Sequence, residues 1–213
     1  MGARLRQSIA LPVGFVSVLW IIHGIGWVLD LHLSSLGIYP REVSTLSGIL
    51  TAPLIHGDLG HLFSNSGPLL ILGSIIMLSY RKVAFRVFTI VWIMSGLGVW
   101  IFARESFHIG ASGVAYGLVS FVFFSGIFRR DVKSIALALV VTFWYGSFVF
   151  GVFPGDAGIS WESHLLGALA GALCGWVFRK IDPPARYDWE TEEEPPETGD
   201  EYWNYRNWRK TVQ

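Results

Sequence analysis

The chain has a single cysteine, Cys174. It can close no intramolecular disulfide, and its place inside an apolar run marks it as a small packing residue. Charge is also scarce. Asp, Glu, Lys and Arg make up 15% of the 213 residues, against about 25% in soluble domains. The formal net charge is zero, so there is no basic footprint for nucleic acid. Period-2 alternation of apolar and polar side chains is missing, which argues against strands. No internal repeat of roughly 20–50 residues is visible.

What the chain has in excess is apolar side chains, 52% of the total. Six stretches contain no Asp, Glu, Lys or Arg: Gln7–Leu29, Leu59–Tyr80, Val87–Ala103, Ser106–Phe128, Ser134–Gly155 and Ser163–Phe178. Each is close to the length that crosses ~30 Å of hydrocarbon as a helix. A spanning backbone must satisfy its polar groups internally, so helices are expected. The fold class predicted is an all-α membrane protein, a bundle of six transmembrane helices. The first run follows Arg4 and Arg6 but is too long for a signal peptide and lacks a clear small-residue cleavage site.

Basic residues orient this bundle. Arg4 and Arg6 precede the first span, Arg81, Lys82 and Arg86 separate the second from the third, Arg129, Arg130 and Lys133 separate the fourth from the fifth, and Arg179 and Lys180 follow the sixth. The opposite side offers Arg41 and Arg104. The positive-inside rule then predicts both termini in the cytoplasm, and the cell (plasma or inner) membrane as the location. From residue 181 the composition changes to acidic, with four prolines and several aromatics. We expect a membrane domain over 1–180 and a cytoplasmic tail over 181–213. The linker 30–58 is long and moderately apolar, and is expected to form a partly embedded structure on the outer side.

Polar residues inside a membrane span are costly and by default mark function. Ser112, in Gly110-Ala111-Ser112-Gly113, and His164 each stand at the start of an apolar run. Counted from the cytoplasmic ends, Ser112 lies 17 residues before Arg129, His164 15 before Arg179 and Asn65 16 before Arg81. At ~1.5 Å per residue all three lie roughly 22–25 Å up, with His61 one turn higher. Four polar side chains thus share one layer near the outer surface. Ser112 is the candidate nucleophile and His164 the candidate base. His61 and Asn65, spaced i, i+4, share a face and are candidate oxyanion donors. Tyr116, one turn beyond Ser112, is placed to pack on His164. No carboxylate is placed to orient His164, and Glu162, two residues away, points elsewhere, so a dyad is expected. Gly113 and Gly117, and Gly167, Gly171 and Gly175, form small-residue faces that allow close helix approach. His23 and His32 have no evident partners, and His108 is read as structural. His56, His61 and His164 lack a cysteine or acidic co-ligand, so neither a metal nor another cofactor is expected.

These residues resemble a known family. The segments His56-Gly57-Asp58-Leu59-Gly60-His61-Leu62-Phe63-Ser64-Asn65, Gly110-Ala111-Ser112-Gly113 with Tyr116, and His164-Leu165-Leu166-Gly167-Ala168-Leu169-Ala170-Gly171 are similar to those of the rhomboid intramembrane serine proteases. The three occur in the right order over about residues 8–180. The resemblance implies a Ser112–His164 dyad in a water-filled cavity opening outward. It implies an oxyanion hole of Asn65, His61 and the Ser112 N–H, and a supporting His56 above it. Substrates would be transmembrane-helix proteins in the lipid bilayer, cut near the outer end of their spans, with small residues at the cut fitting beside Gly113. The chain departs from many rhomboids in having Tyr39-Pro40-Arg41-Glu42 where they carry a Trp-Arg pair. The rival reading is a non-catalytic rhomboid-like protein that binds or escorts membrane helices. A small transporter would call for broken helices or charges at the midplane, which the sequence does not offer.

Overall fold

The computed structural model describes residues 2–155 and 158–181. The acidic tail expected after residue 181 lies outside the described residues. Among the described residues seven α-helices follow one another: α1 (Gly2–Val28), the short α2 (Gly48–Thr51), α3 (Leu59–Ser79), α4 (Ala84–Phe102), α5 (Ser112–Arg129), α6 (Val132–Tyr145) and α7 (Trp161–Val177). Turns of 3₁₀ helix at Leu33–Leu36, Val43–Thr45 and Ala52–Leu54 flank α2, and another, Gly146–Val152, prolongs α6. The described residues contain no β-strand. Among the described residues five stretches are long and apolar enough to cross a membrane: Leu5–Val28, Leu59–Ser79, Ala84–Phe102, Ser112–Arg129 and Val132–Val152. The last described helix, α7, has 17 residues.

One predicted boundary, in the fifth stretch, is corrected. Ser112, expected at the start of its run, opens α5. Residues before it are drawn out of helix by long-range pairing: Ile38 and His108 exchange both backbone hydrogen bonds, 3.0 and 2.8 Å. Gly110 then turns the chain at φ +105°, a conformation that costs glycine little. The fifth stretch was read as one helix to Gly155, but its α-helix ends at Tyr145 and tightens to 3₁₀ geometry around Gly146. That change of pitch turns out to position a catalytic candidate.

α5 is the central helix. Of its spanning stretch 56% is buried, against 17% for Val132–Val152, whose Leu139, Phe143 and Trp144 face outward as lipid-facing side chains should. α7 lies against α5 with no side chain between them at two levels. A Cβ on Gly167 would collide with the backbone of Gly113, and one on Gly171 with that of Gly117. Ser120 Oγ adds a hydrogen bond to Ala168 O at 2.6 Å. Such packing of small residues substitutes for the hydrophobic drive that lipid removes.

Aspartates set two helix starts. Asp58 accepts from the His61 N–H at 2.8 Å, and Asp131 from the Ser134 N–H at 2.9 Å. The Asp58 carboxyl, held by that N–H, titrates below the usual carboxylate range. The linker between α1 and α3 docks on α4 without a Trp-Arg pair of its own. Trp92 and Trp100 of α4 donate to Ile49 O and Glu42 O, each at 3.0 Å. Arg41 donates to Ala103 O at 2.9 Å and lies 3.5 Å from Glu105.

Candidate active site

His164 Nε2 stands 2.9 Å from Ser112 Oγ, and His164 Nδ1 stands 2.9 Å from the carbonyl oxygen of Gly151. A carbonyl only accepts, so Nδ1 carries the proton and donates it to Gly151. Nε2 is then unprotonated and accepts from the Ser112 hydroxyl. The tautomer a general base requires is thus set by a main-chain oxygen in the 3₁₀ segment after α6. Glu162 does not orient the imidazole. Its Oε1 lies 3.7 Å from Arg104 Nη1 and accepts from the Arg104 N–H at 3.4 Å.

Two rings fix the plane of the imidazole. Tyr116 stacks on His164 at 4.0 Å between centroids with a 6° tilt, and Phe148 stacks on Tyr116 at 4.5 Å. Gly151 is required at its position, because a Cβ there would fall on the Tyr116 hydroxyl. Neither Gly151 nor Phe148 was singled out from the sequence. Both lie in an aromatic run that reads as ordinary membrane helix, so spacing gave no signal for them.

The face opposite the dyad is built from the start of α3. His61 and Asn65 line the same cleft as Ser112, and Asn65 Nδ2 donates to His61 O at 3.1 Å, leaving its second amide hydrogen to point elsewhere. Gly110 makes room for this pair, since a Cβ on it would land on the His61 ring. Ser112 is the first residue of α5, so its N–H has no acceptor within the helix and is free for an anion.

His56 sits behind the cleft. It is buried, its Nε2 accepts from the Ala111 N–H at 3.4 Å, and its ring meets that of His61 edge-on at 5.0 Å. Gly110 N donates to Ala52 O at 2.9 Å. The loop carrying Ser112 is therefore held by main chain on one side and an imidazole on the other. Burial pushes the His56 pKa down to about 4, so it is neutral and able to accept. His23, read as lacking a partner, has one: its Nδ1 donates to His56 O at 3.3 Å. His108 is a structural bridge, with Nε2 donating to Arg104 O at 3.0 Å and Nδ1 accepting from Ser160 Oγ at 2.6 Å.

The cleft has a volume of about 680 Å³, with Ser112, His164, His61, Asn65 and Tyr116 on its walls. Gly113 faces α4 and α7, where a Cβ would strike Ser95 and Ser163, so the absence of a side chain there serves packing. Among the described residues no group of His, Cys, Asp or Glu is arranged to hold a metal ion. The arrangement can deprotonate a serine hydroxyl and stabilise an oxyanion next to it.

The family profile described as the Rhomboid domain matches residues 43–181, which span every residue of the site just described except His23. The chain belongs to the rhomboid family. It is accordingly an integral membrane protein. This rhomboid is 34% identical over 181 residues to uncharacterized proteins of Mycobacterium bovis and Mycobacterium tuberculosis, covering 81% of this chain and 75% of theirs. An uncharacterized protein of Mycobacterium leprae is 33% identical over 172 residues, covering 76% of this chain and 68% of its own.

Proposed function

We propose that this rhomboid is an intramembrane serine endopeptidase that cuts the outer ends of substrate transmembrane helices. The hydrogen bond from Ser112 Oγ to a His164 whose other nitrogen is committed to Gly151 O carries the reading. Ser112 Oγ attacks the scissile carbonyl carbon while its proton passes to His164 Nε2. The oxyanion is received by the Ser112 N–H, Asn65 Nδ2 and the His61 ring. The C–N bond breaks as His164 returns the proton to the leaving amine. Water then attacks the acyl-serine, with His164 again taking a proton, and Ser112 is restored. Gly151 and Tyr116 hold the imidazole, and His56 holds the serine loop.

In this reading residues 1–180 form a six-span domain in the cell membrane. α7 is its sixth crossing, since 17 residues lie at the short end of the spanning range. The positive-inside distribution puts both termini, and the tail 181–213, in the cytoplasm. The layer of Ser112, His164, Asn65 and His61 then lies toward the outer leaflet, where water reaches it. Substrate helices must unwind locally to present a peptide bond, which Gly or Pro near the cut makes easier.

The test is mass spectrometry of the products made from a reporter transmembrane peptide in proteoliposomes. Cuts are expected near the outer end of its span, slowed when Gly and Pro below the cut are replaced by Leu. Cuts at the bilayer centre contradict the proposed depth. Tight binding of the peptide with no cleavage supports the non-catalytic helix-binding reading instead.

A further inference from the structure

At the end of the bundle opposite the dyad, an apolar groove of about 220 Å³ opens between α1, α3 and α4, walled by Leu11, Phe15, Leu69, Ile76 and Phe88. Its floor is made by glycine: Gly73 has no side chain to fill the space, and a Cβ there would already touch the ring of Pro12 at 3.0 Å. A second hollow of about 450 Å³, lined by Gln7, Ser8 and Arg81, adjoins it. Leu11, Met77 and Phe85 line both, so the apolar limb runs into the polar one. From Arg81 down α3 to Leu69 is roughly 18 Å at ~1.5 Å per residue. That is close to the depth of one leaflet, half of ~30 Å.

The two limbs differ in chemistry. The deep limb is lined by hydrocarbon and aromatic side chains, with no titratable group. The mouth carries Arg81, whose Nη2 makes a long contact of 3.4 Å to Gln7 Oε1. Lys82 and Arg86 follow at the same end of the bundle, and no carboxylate lines either limb. A guanidinium fork beside an apolar groove matches a phosphodiester joined to a lipid chain. A free phosphate would leave the apolar deep limb unfilled.

We propose that this groove binds one anionic phospholipid, with an acyl chain between α1, α3 and α4 and its phosphate on Arg81. The site is separate from the cleft at Ser112 and does not depend on the peptidase reading. A basic pocket between transmembrane helices at the cytoplasmic surface favours anionic over zwitterionic headgroups by about 1 kcal/mol per cation, or about fivefold for Arg81.

Native mass spectrometry of the full-length protein in mild detergent tests this, titrating phosphatidylglycerol and phosphatidylcholine with identical acyl chains. Wild-type protein is expected to retain one phosphatidylglycerol, preferred about fivefold over phosphatidylcholine. Arg81→Gln should abolish the preference without weakening phosphatidylcholine, and Arg81→Lys should restore part of it. Leu11→Trp, on the exposed side of α1, should block the deep limb and reduce both lipids without breaking a helix contact. Arg179→Gln, just beyond the end of α7 at the same end of the bundle, should leave the preference unchanged. Equal affinity for both lipids in the wild type overturns the proposal. So does an equal loss in Arg81→Gln and Arg179→Gln, which would indicate a diffuse basic belt.

Discussion

A backbone carbonyl does for His164 what a carboxylate does in a catalytic triad, orienting the ring and fixing its tautomer. It carries no full charge, so in the proposed mechanism it would steady an imidazolium less, and more of the work would fall on the proposed oxyanion donors. Asn65→Ala is therefore expected to lower kcat by roughly ten- to a thousandfold with KM little changed, because the donor acts mainly in the transition state. Steady-state cleavage of a reporter peptide checks this; a raised KM with normal kcat would place Asn65 in substrate recognition. His56 makes a second prediction. In the unfolded chain its pKa is near 6.5, but in the folded chain it is about 4. Between those values the unfolded state binds more protons, so stability falls as pH is lowered from 6.5 toward 4, by up to roughly 3 kcal/mol. Thermal unfolding in detergent at pH 7 and pH 5 should show the drop, and His56→Gln, which keeps an acceptor for Ala111, should flatten it. An equal drop in the variant would assign the titration to another group.

At the scale of elements, the close approach of α5 and α7 sets the distance between Ser112 and His164. Gly171→Leu would drive a side chain into the backbone of Gly117. We expect it to cost about 1–3 kcal/mol and to reduce cleavage, with Gly171→Ala falling between. Gly67 on α3 is the control, since a Cβ there meets nothing within 4 Å and Ala is the better helix former. Gly67→Ala should leave the unfolding midpoint unchanged or raised. If both glycines respond alike, helix contact is not what Gly171 serves. The small-residue faces were legible because glycine at every fourth position has few other uses in a membrane helix. The start of α5 at Ser112 was legible, although Phe107, His108 and Ile109 just before it look like membrane span by composition. What extracts them from helix is pairing with Ile38, about seventy positions earlier, which no local pattern reveals. Gly151 was invisible for a related reason: it contributes a carbonyl oxygen, and every residue has one.

Across the whole molecule, depth is the organising quantity. Counting residues from the basic ends placed Ser112, His164, Asn65 and His61 in one layer, and they line one cleft. What counting did not supply is what holds that layer at its rim. Arg104 ties the loop before α5 to the start of α7 through Glu162 and, at 2.7 Å, Ile159 O, with His108 bonded to Ser160 beside it. Arg41 holds the linker after α1 to Ala103, at the start of that loop, and Trp92 and Trp100 hold it to α4. These contacts join residues far apart in the chain through side chains that composition marks only as interfacial.

Cleavage by purified protein of a reporter transmembrane peptide, with Ser112→Ala assayed beside it, bears most directly on the proposed chemistry. Removing one hydroxyl from a half-buried position should cost little stability, so both proteins should unfold at similar temperatures. Wild type is expected to yield two fragments separated at one bond near the outer end of the span, and Ser112→Ala none. Turnover retained by folded Ser112→Ala would contradict Ser112 as the nucleophile, and with it the peptidase mechanism built on His164 and Gly151.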